Sequence, residues 1–277
     1  MKHLLWIGLW ILTLGCRSRQ TAGQPADAGL PAAYRIPYQL TAPDQRYTVP
    51  PALTEISGLA YYKNDQLLCV EDEKAVVYVY DTRRKQVIEE FGFGGFGDFE
   101  DVAWVTGNIY VLESDGTLFR FKPGSTEIGR TGTDLPANTE VEGLGYEPAT
   151  NRLLLAPKDG KFGGEKRIYS FDLRTKTVYK VWVMAESRLD EAGIDGKAFK
   201  PSGLAVHPIS GDWYLLSSTG KRLLVTNAKG ELLTSVPLDP KQFRQPEGIC
   251  FAPNGDLYIA SEGDGKSGYI LKFLYRQ

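Results

Sequence analysis

The sequence predicts an all-β protein, a β-propeller of five four-stranded blades whose ring is closed by an N-terminal strand. A polar residue followed by a short apolar run recurs five times, and successive copies start 45, 42, 60 and 45 residues apart. A period in the forties is typical of four-stranded propeller blades. The 30 Gly and 16 Pro residues, with 15 Tyr, 12 Phe and 5 Trp, favour turns and strands. No stretch sustains the i, i+3, i+4, i+7 apolar spacing of an amphipathic helix.

Residues 1–15 have the pattern of a lipoprotein signal peptide, which we expect the mature protein to lack. The apolar run at 4–14 is too short to cross a bilayer of about 30 Å. It ends at Gly15-Cys16, which resembles the end of a bacterial lipobox. Cys16 would carry the lipid, and the small, polar, Pro-containing residues 16–33 would form a flexible tether. A plain secretory signal with an incidental cysteine is the alternative.

The lipid on Cys16 predicts the location. We expect the protein to be held at a cell membrane by this anchor, on the outer membrane and facing the periplasm. No aspartate follows Cys16, so the inner-membrane retention signal of enterobacterial lipoproteins is absent. Attachment to the inner membrane is the alternative.

Each repeat divides into strands in the same order. The first strands start at Glu55, Glu100, Glu142, Ser202 and Glu247. Turn signals such as Asn64-Asp65 and Asn254-Gly255 lead into second apolar runs, which start at Gln66, Asn108, Arg152, Asp212 and Asp256. Third runs start at Val76, Thr117, Arg167, Arg222 and Tyr269. A fourth, more polar run completes four blades, at residues 86–91, 126–130, 177–183 and 231–236.

The fifth repeat ends at Gln277 after three strands, so its blade needs a strand from elsewhere. A segment before the first repeat, at residues 34–40 or 46–49, can supply this outer strand and leave no open sheet edge. Residues 34–277 would then form one propeller domain. Six blades are the alternative if the 60-residue interval hides a degenerate one. Residues 184–200 instead indicate a short helical or loop insertion.

Four segments resemble the bacterial SdiA-regulated family: residues 53–60 (LTEISGLA), 70–73 (VEDE), 97–104 (GDFEDVAW) and Glu142-Gly-Leu. That family is similar to NHL-type propellers and, more distantly, to esterase-like phytases and the paraoxonase and gluconolactonase propellers. The resemblance runs from about residue 53 to the C-terminus and implies a propeller, but no particular reaction. The chain departs from the pattern at the fourth repeat, where Ser202 replaces the acidic residue.

The repeat register predicts a ring of polar side chains at one end of the central channel, which we call the mouth. The innermost strand of each blade begins there and the second strand ends there. The expected metal ligands are Glu55, Glu100, Glu142 and Glu247. The expected ligand-binding residues are Glu71, Asp72, Glu73, Glu113, Lys158, Ser202 and Glu262. Crowded carboxylates raise each other's pKa unless a cation or hydrogen-bond donors satisfy them, and oxygen ligands suit Ca²⁺.

Two functions are compatible with this mouth. One is a non-catalytic propeller that binds a small molecule or protein partner, with Ca²⁺ as the expected cofactor. The other is a Ca²⁺-dependent hydrolase of an ester, lactone or phosphoester, supported by fold analogy alone. No catalytic residue is assigned. Each glutamate could also simply cap a blade end by accepting backbone N–H bonds.

The remaining expectations concern partners and two residue types. Because 32 basic and 34 acidic residues leave a charge of −2, there is no global basic field for nucleic acid. We also expect a monomer. Cys69 and Cys250 lie in apolar runs of neighbouring blades, where free thiols are favoured over a disulfide. His207 is expected to be structural rather than a general base.

Overall fold

A computed structural model describes residues 34–263 and 265–276 of the chain. The expected signal peptide, Cys16 and the tether lie outside the described residues. Within the described ranges, no helix is long and apolar enough to cross a membrane.

The described residues form five four-stranded antiparallel sheets, which are the blades. Blade 1 contains β2 (Ile56–Lys63), β3 (Gln66–Glu71), β4 (Lys74–Asp81) and β5 (Gln86–Phe96). Blade 2 contains β6 (Phe99–Val105), β7 (Asn108–Glu113), β8 (Leu118–Phe121) and β9 (Gly129–Thr131). Blade 3 contains β10 (Glu140–Glu147), β11 (Arg152–Asp159), β12 (Glu165–Asp172) and β13 (Val178–Ala185). Blade 4 contains β14 (Gly203–Val206), β15 (Trp213–Ser217), β16 (Arg222–Thr226) and β17 (Leu232–Pro237).

Blade 5 is built from both ends of the chain. It contains β18 (Pro246–Phe251), β19 (Leu257–Ser261), β20 (Tyr269–Phe273) and, as its outer strand, β1 (Gln45–Thr48). The antiparallel register runs from Gln45 opposite Lys272 to Thr48 opposite Tyr269. The predicted five blades and N-terminal closure are confirmed, with the later of the two candidate segments as the closing strand.

The long third interval holds an insertion rather than a further blade. A short helix, α1 (Glu186–Glu191), follows β13 directly, and turns lead from it to β14. Leu189, Ile194 and Phe199 of this insertion are fully buried in the core between blades 3 and 4. The insertion is therefore packed onto the ring. A single-turn 3-10 helix, Pro51–Leu53, separates β1 from β2.

The hydrophobic core lies between the blades, because each described cluster joins the faces of two neighbouring sheets. This is how a propeller buries both faces of every blade. Cys69 and Cys250 share the cluster between blades 1 and 5, and both are buried free thiols, as predicted. Burial raises the pKa of both thiols, which keeps them protonated.

Candidate functional site

The innermost strands approach each other so closely that four blades need glycine at the same position. These glycines are Gly58, Gly143, Gly203 and Gly248. A Cβ at Gly58 would lie 2.5 Å from the Cα of Asp101 in the next blade, and a Cβ at Gly248 would lie 3.0 Å from the backbone nitrogen of Leu59. The repeated glycine is thus a consequence of the narrow five-bladed ring.

The glycines also define which residues are equivalent around the mouth. The residue before each glycine is Ser57, Glu142, Ser202 or Glu247, and Glu100 takes this place in blade 2. The expectation that Glu55 belongs to this ring is wrong by two residues: Glu55 is exposed and precedes β2, whereas Ser57 is 2% exposed inside it. The ring therefore contains three glutamates and two serines.

The two serines of the ring make the same bond in their respective blades. The Ser57 hydroxyl donates to the carbonyl of Phe99 at 2.7 Å, and the Ser202 hydroxyl donates to the carbonyl of Pro246 at 2.8 Å. Each accepting residue directly precedes a ring glutamate of the next blade. Ser202 also accepts a bond from the backbone N–H of Ser218 at 3.0 Å. These hydroxyls tie neighbouring blades together.

Asp101 replaces the glycine in blade 2, and its carboxylate lies between the innermost strands of blades 1, 2 and 3. It is completely buried. One oxygen accepts the N–H of Val102 at 2.8 Å and the other accepts the N–H of Leu144 at 2.7 Å, while Leu59 also donates its N–H. Burial raises the pKa of Asp101 well above its ordinary value, although the three N–H groups oppose that shift. This carboxylate connects the innermost strands of blades 1, 2 and 3.

A cavity of about 130 Å³ lies along the innermost strands, on the side of Asp101 and the glycines away from the mouth. The cavity is lined by residues that follow Asp101 and the glycines along the five innermost strands, such as Val102, Leu144 and Ile249.

Buried carboxylates dominate the mouth on the side of blades 2 and 3. Burial, followed by the nearby charge of Glu142, raises the pKa of Glu100 to about 9. Glu142 is 8% exposed, and burial raises its pKa to about 7 even though it is ion-paired with Lys158. Lys158 also contacts Glu140 at 3.3 Å. Burial lowers the pKa of Lys158, but the bond to Glu142 outweighs this, so its pKa is raised.

A second pair of carboxyl groups lies on blade 5. Burial, then the hydrogen bond and charge of Glu262, raise the pKa of Glu247 to about 10. The charges of Glu142 and Glu100 also raise the pKa of Glu247, so the three ring glutamates lie near one another. Glu262 is held by the side-chain amide of Gln245 at 2.9 Å. We call Glu100, Glu142, Glu247, Glu262 and Lys158 the acidic mouth.

The other predicted mouth residues lie around this group. Burial, then the charges of Glu55 and Glu262, raise the pKa of Asp72 to about 6. The Glu71 carboxylate accepts the backbone N–H of Lys74 at 2.6 Å, which makes it a turn cap. Glu113 is ion-paired with Arg130 at 3.1 Å. Glu73 is exposed, and its backbone carbonyl accepts the N–H of Gly97.

The ring does not form a ready-made metal cage. Among residues 34–263 and 265–276, no three His, Cys, Asp or Glu side chains are grouped so that they could hold a metal ion. Two features reduce the negative charge of the acidic mouth. Lys158 is ion-paired with Glu142, and the raised pKa values of Glu100 and Glu247 favour their protonated forms. The carboxyl oxygens of the acidic mouth are suitable ligands for a cation, but no three of these side chains are grouped closely enough to hold one.

His207 lies at the opposite end of the channel, after the end of β14. Its Nε2 is 2.8 Å from the Tyr38 hydroxyl, which donates to the carbonyl of Gly255, so Nε2 carries the proton. Nδ1 accepts the backbone N–H of Ser210 at 3.1 Å. Burial lowers the pKa of His207. The histidine is neutral and structural, as expected, and does not reach the mouth.

Asp101 and Ser57 are the two important residues that the repeat alignment missed. Both would have been found by aligning the repeats on their glycine rather than on their first acidic residue. In that alignment Asp101 is the one residue that replaces a glycine, and Ser57 pairs with Ser202.

Comparison with known proteins identifies one family. The family model described as SdiA-regulated matches residues 37–264. None of the curated proteins matches the chain in sequence. Among solved structures, streptogramin B lyase aligns at 8% identity and a TM-score of 0.54, covering 83% of this chain and 97% of that one.

Two further structures are similar at the level of the fold. A luciferin-regenerating enzyme aligns at 11% identity and a TM-score of 0.51, covering 79% of this chain and 77% of that one. A protein of unknown function from Bacteroides thetaiotaomicron VPI-5482 aligns at 13% identity and a TM-score of 0.52, covering 75% of this chain and 52% of that one. At these identities the similarity concerns the fold and carries no activity across.

Proposed function

The chain belongs to the SdiA-regulated family of β-propellers, and from that premise we propose that it is a membrane-anchored binding protein that takes a positively charged ligand at its acidic mouth. The observation that carries this proposal is the crowding of carboxyl groups at the mouth. Four of them, Glu100, Glu142, Glu247 and Glu262, are close enough to raise pKa values within the group, and one lysine is paired among them.

A cation would stabilise the ionised forms of the crowded carboxyl groups at the mouth. The pKa of Glu100 is raised to about 9 and that of Glu247 to about 10, so the uncharged forms are favoured there. A positive group placed between these carboxyls favours their ionised forms instead, and this gain is the driving force for binding. Calcium and an organic ammonium group share this chemistry. Calcium would have to draw the carboxylates together, since they do not form a cage beforehand.

The hydrolase alternative needs a group that activates water beside the substrate. His207, the one histidine of the described residues, is buried at the other end of the channel and bonded on both ring nitrogens. A hydrolase would therefore have to use a mouth carboxylate as its base. Binding without turnover is the simpler proposal for these residues.

Cation binding can be measured as stabilisation of the fold. Calcium chloride, magnesium chloride and 1,4-diaminobutane are titrated at constant ionic strength while thermal melting is followed, because a site filled at 100 times its Kd adds about 2.7 kcal/mol to the free energy of unfolding. We expect at least one of these cations to raise the melting temperature of the wild type. The double variant Glu142→Gln, Glu247→Gln should lose that response.

The matched control carries the same change of charge on an outer strand. Glu89 and Glu90 are exposed on β5, away from the mouth, so the variant Glu89→Gln, Glu90→Gln should keep the full response. An absence of stabilisation by all three cations would contradict the proposal. So would an equal loss in the control and the mouth variant.

The membrane anchor is the second part of the proposal, and it rests on the sequence around Cys16. Replacement Cys16→Ser removes the thiol that would carry the lipid, so the protein should leave the membrane fraction and lose the mass of its acyl chains. Membrane fractionation and mass spectrometry of the intact protein measure the two effects. A Cys16→Ser protein that stays with the outer membrane as the wild type does would rule out lipid anchoring at this residue.

A further inference from the structure

The face opposite the mouth carries a different charge from the mouth. In each blade the first strand starts at the mouth, so the turns between strands one and two and between strands three and four lie at the far end. The third-to-fourth turns are residues 82–85, 122–128, 173–177 and 227–231. We call these turns, together with the N-terminal segment 34–44, the basic face.

Most of the charged side chains exposed on these turns are basic. Six of them are Arg83, Arg84, Lys85, Lys122, Arg174 and Lys176. In the part of these turns that the structure describes, the exposed carboxylates are Glu127 and Glu231. Arg83 is ion-paired with Asp65 at 2.5 Å. The excess of positive charge lies on blades 1 and 3.

The acidic residues that begin the turns of blades 1 and 3 are turned inward. An Asp81 oxygen accepts the N–H of Arg83 at 2.9 Å and that of Arg84 at 2.8 Å. An Asp172 oxygen accepts the N–H of Arg174 and that of Thr175, each at 2.9 Å. These carboxylates cap the turns while the basic side chains point outward, so the turn geometry itself separates the charges.

Each of these two turns contains a lysine that adopts an unfavourable backbone conformation. Lys85 has φ of 56° and Lys176 has φ of 61°. The corresponding turns of blades 2 and 4 have glycine at the position of positive φ, Gly124 and Gly230. Glycine would adopt this conformation without strain. Lysine at these two positions costs conformational free energy, and each lysine adds one positive charge to this face. Burial lowers the pKa of Lys176, and the charge of the neighbouring Arg120 lowers it further.

The N-terminal segment arrives at the same face. The Tyr34 hydroxyl donates to Asp212, in the far-end turn between the first two strands of blade 4, at 2.7 Å, and Arg35 beside it is exposed. The residues before Tyr34 include Cys16, the proposed site of the lipid. A lipid attached there would therefore lead to the basic face rather than to the mouth.

We propose that the basic face docks onto an anionic phospholipid surface and holds the acidic mouth away from the membrane. Turns from four blades end at one level of the ring, which suits a broad flat surface. An anionic membrane attracts these turns, so their positive charge both binds and orients the propeller. The docking rests on the proposed anchor only for bringing this face to the bilayer.

The test uses the lipidated full chain reconstituted into vesicles of phosphatidylcholine, with or without one-third phosphatidylglycerol. Backbone amide hydrogen exchange is measured at two basic turns, 82–85 and 173–177. It is compared with exchange at residues 195–200, which belong to the insertion before β14 at the mouth end and which we call the mouth insertion. We expect phosphatidylglycerol to slow exchange at the basic turns and to leave the mouth insertion unchanged. Salt of about 0.5 M should abolish the protection, because it shortens the Debye length to a few ångströms.

Two variants that lose the same number of positive charges distinguish an effect of the basic face from an effect of the protein's overall charge. Each basic residue near an anionic surface contributes roughly a fivefold factor, so Arg84→Gln, Lys85→Gln, Lys176→Gln should weaken docking by on the order of 100-fold. The control Lys161→Gln, Lys197→Gln, Lys241→Gln removes three exposed charges at the mouth end and should keep full protection.

Three results would overturn the docking proposal: protection that does not depend on phosphatidylglycerol, protection that appears at the mouth insertion, or an equal loss in both variants. Displacement of the face from the vesicles by duplex DNA at equal phosphate concentration would also overturn it, since the face would then bind any polyanion. A chain that does not incorporate into phosphatidylcholine vesicles contradicts the anchor alone. Docking is then measured as sedimentation of this chain with phosphatidylglycerol vesicles. An absence of binding in that assay would overturn the docking proposal.

Discussion

Asp101 joins three innermost strands through one carboxylate, because its two oxygens accept the backbone N–H groups of Val102, Leu144 and Leu59. The inner edges of these strands face the channel, where no further strand can pair with them. An ionised carboxylate is suited to this position because it offers only acceptors to the three N–H donors, and these donors oppose the rise in its pKa that burial causes. An amide of the same shape would turn an NH₂ group towards backbone donors.

The replacement Asp101→Asn should therefore destabilise the domain strongly. At least one buried N–H would lose its acceptor, and we expect the free energy of unfolding to fall by about 2–4 kcal/mol. Chemical denaturation measures this fall. Asp134→Asn serves as the control, because Asp134 is exposed in the loop between blades 2 and 3 and should change the stability by less than about 0.5 kcal/mol. An Asp101→Asn protein as stable as this control would show that the bonds to the Asp101 carboxylate contribute nothing.

Part of this residue-level picture could be read from the sequence and part could not. The ring glutamates Glu100, Glu142 and Glu247 follow from the repeat, because each stands at the same place before an apolar run. Ser57 and Asp101 were missed, since the repeats were aligned on charge while the spacing is determined by close contact at the glycines. The bond of Lys158 to Glu142 depends on contact between side chains of two strands, which no periodicity encodes.

At the scale of elements, blade 5 depends on a strand that is remote in sequence. Strand β1 pairs with β20 over four residues, and its Tyr47 and the following Val49 are buried against blades 1 and 5. The strand prediction was right because three apolar runs without a fourth leave an exposed edge. Which of two N-terminal segments pairs could not be read from the sequence, since both alternate polar and apolar residues. The other segment contributes Tyr38 and Leu40 to the core between blades 4 and 5.

Deletion of residues 33–50 should lower the stability of the whole ring. It exposes the edge of β20 and removes the buried side chains of Tyr38, Tyr47 and Val49, so we expect one cooperative transition at a clearly lower temperature. The milder pair Tyr47→Ala, Val49→Ala should shift the transition in the same direction, whereas Thr48→Ala, at an exposed site, should not. Thermal melting followed by circular dichroism gives the result. An unchanged transition with fraying confined to β20 would reject closure as a source of global stability.

At the scale of the molecule, the two ends of the ring differ in charge, and the mouth makes stability depend on pH. The folded state keeps protons on Glu142, Glu100 and Glu247 up to about pH 7, 9 and 10 respectively, whereas the unfolded chain loses them near pH 4.5. Where the folded state binds more protons, the free energy of unfolding falls as pH rises. His207, whose pKa is lowered by burial, acts in the opposite direction below about pH 6.5.

The melting temperature should therefore fall between pH 7 and pH 9 at constant ionic strength. Glu247→Gln should flatten this decrease, because the amide cannot ionise, and Glu89→Gln, on the exposed outer strand β5, should leave its slope as in the wild type. Calorimetry at several pH values in this interval measures the slope. A melting temperature that rises from pH 7 to pH 9 would contradict the assignment of raised pKa values to the mouth.

Pairing the first strand with the last has a consequence for how the protein is made and, with the proposed membrane anchor, for how it would be exported. Gln45 leaves the ribosome long before Lys272, its partner in the finished sheet. Blade 5 therefore cannot assemble until almost the whole chain is available, however early blades 1 to 4 form their hairpins. A chain that is threaded across a membrane as an unfolded polymer gains from this delay, because the strand nearest the exported end stays unpaired throughout transit. The closing step, β1 onto β20, would then take place on the far side of the membrane, after the C-terminus has crossed.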